Sequence, residues 1–256
     1  MAVVETQGSA PRLRCACRTD VGKVRARNED AYRAVPEQGW LVLADGMGGY
    51  RGGDVAAAMA VDSVISRLEA ERAALDDAAA LARVLQSAVE EANAAVHDAG
   101  LRRAEVAGMG STIVIAAFLP GLMVCAHVGD SRLYRFRDGV LTLLTRDHTL
   151  LQEQVDAGMI HPDEARRSRF RGMLTRGLGI ERMVELDVAE HETQWGDCYL
   201  LCSDGLTDML MDDEIEAEIG ASAGLDDAAR RLVDLANARG GRDNVTVIVA
   251  QSAGTR

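Results

Sequence analysis

Trp40-Leu41-Val42-Leu43-Ala44-Asp45-Gly46 is a strand-like apolar run that ends on a carboxylate and a glycine, and the pattern recurs. Met123-Val124-Cys125-Ala126-His127-Val128 leads into Gly129-Asp130, and Cys198-Tyr199-Leu200-Leu201-Cys202-Ser203 leads into Asp204-Gly205. Asn244-Val245-Thr246-Val247-Ile248-Val249 follows directly on Asp243. Short apolar runs bounded by turn residues read as buried strands, so four strands would each deliver one Asp. Two carboxylates about 4 Å apart repel by roughly 4 kcal/mol at an effective dielectric near 20. If the fold brings these four together, a cation must hold them, and hard divalent ions that take oxygen ligands are the natural candidates.

Around these runs, further strands are predicted at about 12–19, 111–119, 132–137, 140–144 and 183–189. Pro120-Gly121 and Asp138-Gly139 are tight-turn pairs that join neighbouring strands into hairpins, which implies antiparallel pairing. Helical periodicity appears at about 54–70, 78–99, 149–157, 212–219 and 225–238. The first two helices follow one another without a strand between them, as do the last two. Helices in blocks over antiparallel strands predict an α+β layered fold.

With 256 residues, 48% of them hydrophobic, and no linker-like interruption, one domain spanning 11–252 is expected. A loose leader at 1–10 and a frayed end at 253–256 flank it. The net charge of −12 disfavours nucleic acid or an anionic membrane as a partner, and no apolar run reaches membrane-spanning length. A cytoplasmic protein is expected. Five cysteines, an odd number lying mostly in apolar runs, read as reduced structural side chains. Residues 145–180 mix Arg166, Arg167, Arg169, Arg171 and Arg176 with acidic side chains including Asp147 and Asp163, and are expected to form a loosely held surface flap.

Three features carry the chemistry. Asp45-Gly46-Met47-Gly48-Gly49 lies between a strand and a helix, where glycines let the backbone turn sharply beside a ligand. Asp208 lies one helical turn beyond Asp204, so the two carboxylates can share a side. Arg25, with Glu29 and Asp30, follows the first strand; alone this is a charged loop, but beside a carboxylate cluster a planar guanidinium suits bidentate grip of a phosphate.

Eight segments in order resemble the motifs of the metal-dependent protein phosphatases, the protein phosphatase 2C family, in its bacterial serine/threonine form. They are Thr19-Asp20-Val21-Gly22 with Arg25 and Asn28-Glu29-Asp30; Ala44 to Gly49; Gly110-Ser111-Thr112; Val128 to Arg132; Thr145-Arg146-Asp147-His148; Leu174 to Gly179; Ser203 to Leu206; and Asp243 to Thr246. The resemblance covers about residues 12–251. It implies a four-layer α-β-β-α sandwich with two central, mainly antiparallel sheets, and a binuclear Mn²⁺ or Mg²⁺ centre at one edge. By motif, Asp45 would bridge both metals, Asp204 and Asp243 would hold one, and the Gly46 carbonyl would help hold the other. Glu29 and Asp30 would orient waters around them. A weaker third metal would take Asp130 and Asp204, with Asp208 as a further ligand, and Asn244 would steady the loop that presents Asp243.

The implied reaction is hydrolysis of phosphoserine and phosphothreonine by metal-activated water, with Arg25 on the phosphate and no phospho-enzyme. Phosphoprotein substrates, an opposing serine/threonine kinase and a monomeric state go with that reading. Met47 departs from many eukaryotic relatives, which place a His there that can protonate the leaving group; a thioether cannot. His161, in the flap, is the nominee for that role, whereas His148 reads as structural and His127 as a satisfied core residue. Two alternatives remain: a catalytically idle module that binds phosphoproteins, and a phosphohydrolase of small phosphate esters.

Overall fold

The computed structural model describes residues 13–48, 52–161, 164, 168, 170 and 172–252. The expectations for 1–10, 253–256, Gly49, Asp163, Arg166, Arg167, Arg169 and Arg171 fall outside them. Among the described residues, eleven strands build two antiparallel sheets. The first holds β1 (Leu13–Asp20), β11 (Val245–Ser252), β10 (Cys198–Cys202), β7 (Arg132–Arg137) and β8 (Val140–Leu143), in that spatial order. The second holds β2 (Asp30–Val35), β3 (Trp40–Met47), β5 (Ile113–Leu119), β6 (Leu122–Val128) and β9 (Asp187–Glu192), with the short β4 (Gly110–Ser111) paired to β3.

Successive strand side chains point to opposite faces, and here both faces are covered. Trp40, Val42 and Ala44 of β3, with Ile113 and Ile115 of β5, pack under α1 (Gly53–Ala70) and α2 (Ala78–Arg102) against Val61, Val64, Leu81 and Leu85. The alternate residues Leu41, Leu43, Val114 and Ala116 turn the other way and meet Leu133, Tyr199, Leu201 and Ile248 of the first sheet. Phe118 and Tyr199 meet edge-on across this seam with centroids 5.0 Å apart. On the far side Leu200, Cys202, Val247 and Val249 pack against Ile215 of α4 (Asp212–Gly220) and Leu232 and Val233 of α5 (Leu225–Ala238). This is the expected α-β-β-α sandwich. Two-sided burial explains why its central strands are apolar throughout.

The two hairpins form at the expected turns, with Leu119 opposite Leu122 and Arg137 opposite Val140. Two strand expectations need correction. β2 lies where no strand is predicted, sharing only Asp30 with the charged loop, and β9 runs from Asp187 to Glu192 instead of 183–189. The flap expected at 145–180 is described in part, residues 162, 163, 165–167, 169 and 171 lying outside the described set. It opens with α3 (Leu150–Asp156), and its far end is pinned where Thr175 N–H donates to the His148 carbonyl at 2.9 Å and Ser111 pairs with Leu178. No helix among the described residues is long and apolar enough to cross a membrane.

Asp197, 1% exposed at the start of β10, gathers hydrogen bonds from Arg137 Nε and Nη2, both at 2.6 Å, from Gln194 N–H at 2.7 Å and from the Tyr199 hydroxyl at 2.9 Å. Burial pushes this carboxyl up, but the bonds from Arg137, Gln194 and Tyr199 outweigh it and hold it below the ordinary carboxylate range. Asp197→Ala strands these donors and is expected to cost about 3 kcal/mol in urea unfolding at neutral pH. Because folding lowers this pKa, the wild-type contribution is present above about pH 4 and lost as acid takes the pH down through the folded-state value. The gap between wild type and variant therefore closes on acidification.

Candidate active site

The strand directions explain why distant carboxylates meet. β3 and β6 are both antiparallel to β5 and so parallel to each other, and Asp45 and Asp130 emerge at the same end. β10 and β11 are antiparallel, so Asp204, just after β10, lies beside Asp243, just before β11. All four, together with Arg25, Glu29, Gly46, Met47 and Asp208, line one cavity of about 390 Å³. A second cavity of about 490 Å³ shares Asp130, Asp204 and Asp208 with it.

The electrostatics record the crowding. Asp45 is pushed well above the ordinary carboxylate range, first by burial and then by Asp30, Asp204, Asp130 and Asp243. Asp204 is pushed up in the same way, by burial and then by Asp130, Asp208, Asp243 and Asp30. Asp130 rises to about 7, through burial and then Asp147, with Asp208 adding and Arg132 opposing. The Oδ1 atom of Asp204 is buried without a hydrogen-bond partner among the described residues. A buried carboxylate oxygen with no donor, facing other carboxylates, lacks a positive charge. The donors on offer are oxygens, a set that fits hard divalent ions.

Other expected residues fall around this cluster. Arg25 Nη2 donates to Asp243 Oδ2 at 2.6 Å while its side chain stays half-exposed. Asn244 ties the Arg25 loop to the Asp243 strand: its Nδ2 donates to the carbonyls of Val21 at 3.0 Å and Arg27 at 2.7 Å, and its Oδ1 accepts from Glu29 N–H at 2.7 Å. It therefore staples the 21–29 loop as well as bordering Asp243. Asp30 stands opposite Asp45 in register. It accepts from Ser203 Oγ at 2.8 Å and Thr246 Oγ1 at 2.6 Å, which bonds the second sheet to the first beneath the cluster. Burial raises the Asp30 carboxyl to about 6, against the lowering effect of those two hydroxyls. His161 is exposed and is not among the residues lining the cavity.

Most of the supporting residues lie in the quoted motifs, but the sequence assigned them no role. Thr112 Oγ1 accepts from Asp45 N–H at 3.0 Å and pairs with Ser131 Oγ at 2.7 Å, which braces Asp45 against the Asp130 turn. Gly172 and Leu174 close one side of the cavity. Thr112 and Ser131 stand in two of the quoted motifs, as small polar residues beside apolar runs.

The two Asp-Gly pairs need their glycines for proximity more than for turning. A Cβ on Gly46 would collide with the Gly53 carbonyl, and one on Gly205 with the Asn244 carbonyl. Neither residue has a positive φ.

Residues 22–244 match the protein phosphatase 2C family. The serine/threonine phosphatase stp of Listeria monocytogenes serotype 4b is 37% identical over 237 residues, which are 91% of this chain and 94% of that protein. The crystal structure of serine/threonine phosphatase Stp1 from Staphylococcus aureus has a TM-score of 0.91 at 33% identity, covering 98% of this chain and 99% of that one. The catalytic domain of serine/threonine protein phosphatase PstP, solved in complex with 2 manganese ions, has a TM-score of 0.84 at 37% identity, covering 94% and 99%. This chain belongs to the protein phosphatase 2C family and is a phosphatase of that type.

Gly205→Ala is expected to force the Asp204 turn away from Asn244, lowering stability by about 1–3 kcal/mol in thermal unfolding. Phosphatase activity should fall with it, measured at a temperature where the variant remains folded.

Proposed function

We propose that residues 13–252 act as one catalytic unit that hydrolyses phosphoserine and phosphothreonine in proteins, using Mn²⁺ or Mg²⁺ held by Asp45, Asp204, Asp243 and the Gly46 carbonyl. Asp130, with Asp204 and Asp208, would hold a further, weaker ion. The observation that carries this reading is the partnerless, buried Asp204 Oδ1 within a group of carboxylates that push one another's pKa upward. When bound, such ions lower the pKa of a coordinated water from 15.7 towards about 7 and neutralise phosphoryl charge.

The chain's own residues do the rest. Arg25, half-exposed at the rim, has a guanidinium shaped to take two phosphate oxygens, and its bond to Asp243 keeps it aimed at the cluster. Asn244 holds that loop in place. Glu29 lines the cavity, and Asp30 lies beneath the cluster; their carboxylates would accept hydrogen bonds from ordered water there. Met47 lines the cavity without a transferable proton, and His161 lies outside it. Delivery of a proton to the leaving alkoxide thus falls to water in the cavity.

In this reading the enzyme works as a cytoplasmic monomer against a serine/threonine kinase. Support comes from the acidic surface, the absence of a spanning helix among the described residues, and relatives named serine/threonine phosphatases. An idle binding module is disfavoured, because keeping Asp45, Asp204 and Asp243 crowded without a cation costs stability.

Hydrolysis of p-nitrophenyl phosphate should require added Mn²⁺ and stop on chelation. Asp45→Asn, Asp204→Asn and Asp243→Asn should each lower kcat by at least about 100-fold, the upper end of the loss from removing an outer partner alone. Arg25→Ala should chiefly raise KM. Retained kcat in any of the three Asp variants would refute the ligand assignment, and turnover of metabolites in preference to phosphopeptides would refute the substrate class.

A further inference from the structure

Behind the Asp130 turn, His127, His148 and Asp187 place their donor atoms within 4.8 Å of one another, a grouping that suggests a separate metal site. The hydrogen bonds argue otherwise. Gly129 N–H donates to His148 Nδ1 at 3.2 Å, so the neutral ring carries its proton on Nε2. That nitrogen faces Asp187 Oδ2 at 3.2 Å. A metal on Nε2 would drive the ring proton to Nδ1, against a backbone N–H. Asp187 already has its cation: Arg176 Nη1 lies 2.8 Å from Oδ1. His127 stacks on the second ring at 4.7 Å, with its own Nε2 donating to the Arg146 carbonyl at 2.8 Å.

What these bonds build is a connection between two parts of the active site. On one side, Gly129 is gripped twice by His148, since the His148 N–H also donates to the Gly129 carbonyl at 3.0 Å. Gly129 has a φ of +102°, and a Cβ there would run into the Thr112 side chain, so the turn carrying Asp130 has little tolerance. On the other side, Asp187 holds Arg176, next to the segment that places Leu174 and Gly172 against the cavity.

We propose that His148 is a positioning residue with two separable arms. Nδ1 fixes the Gly129 turn and thereby the Asp130 carboxylate. Nε2–H fixes Asp187, and through Arg176 the wall of the cavity near Leu174 that a phosphopeptide must pass. The first arm rests on the reading of Asp130 as a metal ligand.

Asparagine and glutamine divide the arms. An Asn side-chain oxygen can replace Nδ1 as acceptor, while a Gln side-chain NH₂ can replace Nε2–H as donor. The full chain, its His148→Asn, His148→Gln, Asp187→Ala and Asp130→Asn variants would be titrated with Mn²⁺ in a calorimeter. KM would be measured for p-nitrophenyl phosphate and for a phosphothreonine peptide, alongside thermal unfolding. His148→Gln should weaken about tenfold the Mn²⁺ binding event that Asp130→Asn removes, a loss typical of removing an outer hydrogen-bond partner, with little change in peptide KM. His148→Asn should keep that event and raise peptide KM several-fold, leaving KM for p-nitrophenyl phosphate unmoved. Asp187→Ala, which leaves His148 intact, should repeat the His148→Asn pattern.

Equal effects of the Asn and Gln variants on both readouts, or a lower melting temperature with both readouts unchanged, would overturn the inference and leave His148 a packing residue. Should neither His148 variant fold, Asp187→Ala decides, and an unchanged peptide KM overturns the proposal. A wild-type chain that takes up no Mn²⁺ overturns the metal reading and this inference together, whereas Mn²⁺ uptake beside undivided arms overturns the inference alone.

Discussion

Mutual repulsion among Asp45, Asp130, Asp204 and Asp243 is the constraint that the rest of the structure answers to. Burial and the neighbouring carboxylates raise the pKa of Asp45, Asp130 and Asp204, and among the described residues Arg25 reaches the cluster at Asp243, from the rim. Holding like charges in place requires a rigid surround. It is supplied from beneath by hydroxyls and amides: Thr112 on the Asp45 backbone, Ser203 and Thr246 on Asp30, and Asn244 on the neighbouring loop. None of these braces is charged, so the cluster is fixed without being neutralised.

The sandwich makes that surround possible. Two sheets buried on both faces give stiff, close-packed strands whose ends do not wander. The Asp30 bonds to Ser203 and Thr246 lock one sheet's register to the other at the level of the cluster. The same logic accounts for Gly46 and Gly205, where neighbouring backbones approach too closely for any side chain.

How much of this was legible in the sequence follows from the same physics. Central strands covered on both sides read as continuous apolar runs, and each carried its Asp at a recognisable end, so the layered α+β fold and the convergence of the four carboxylates could be anticipated. The strands misread, β2 and β9, are the two edges of the second sheet, each with one partner and an exposed, charged pattern. Edge strands lose the two-sided burial that writes a signal into composition. The bracing role was hidden for a different reason: Thr112, Ser203 and Thr246 are ordinary small polar residues whose meaning exists only once they meet Asp45 and Asp30, 67 to 216 positions away.

The position of β11 bears on how the protein is made. The strand nearest the end of the described chain is not added at a margin; it slots between β1 and β10 and hydrogen-bonds to both. During synthesis β1 waits unpaired until β11 leaves the ribosome, because among the described residues β1 has no other partner in its sheet, whereas β10 can already pair with β7. Asp243 and Asn244 travel at the leading end of β11, so the ionic pocket cannot be completed before this strand emerges. A nascent or truncated chain lacking that strand would hold an open groove in place of a working phosphatase, and such unpaired edges draw in chaperones or other chains.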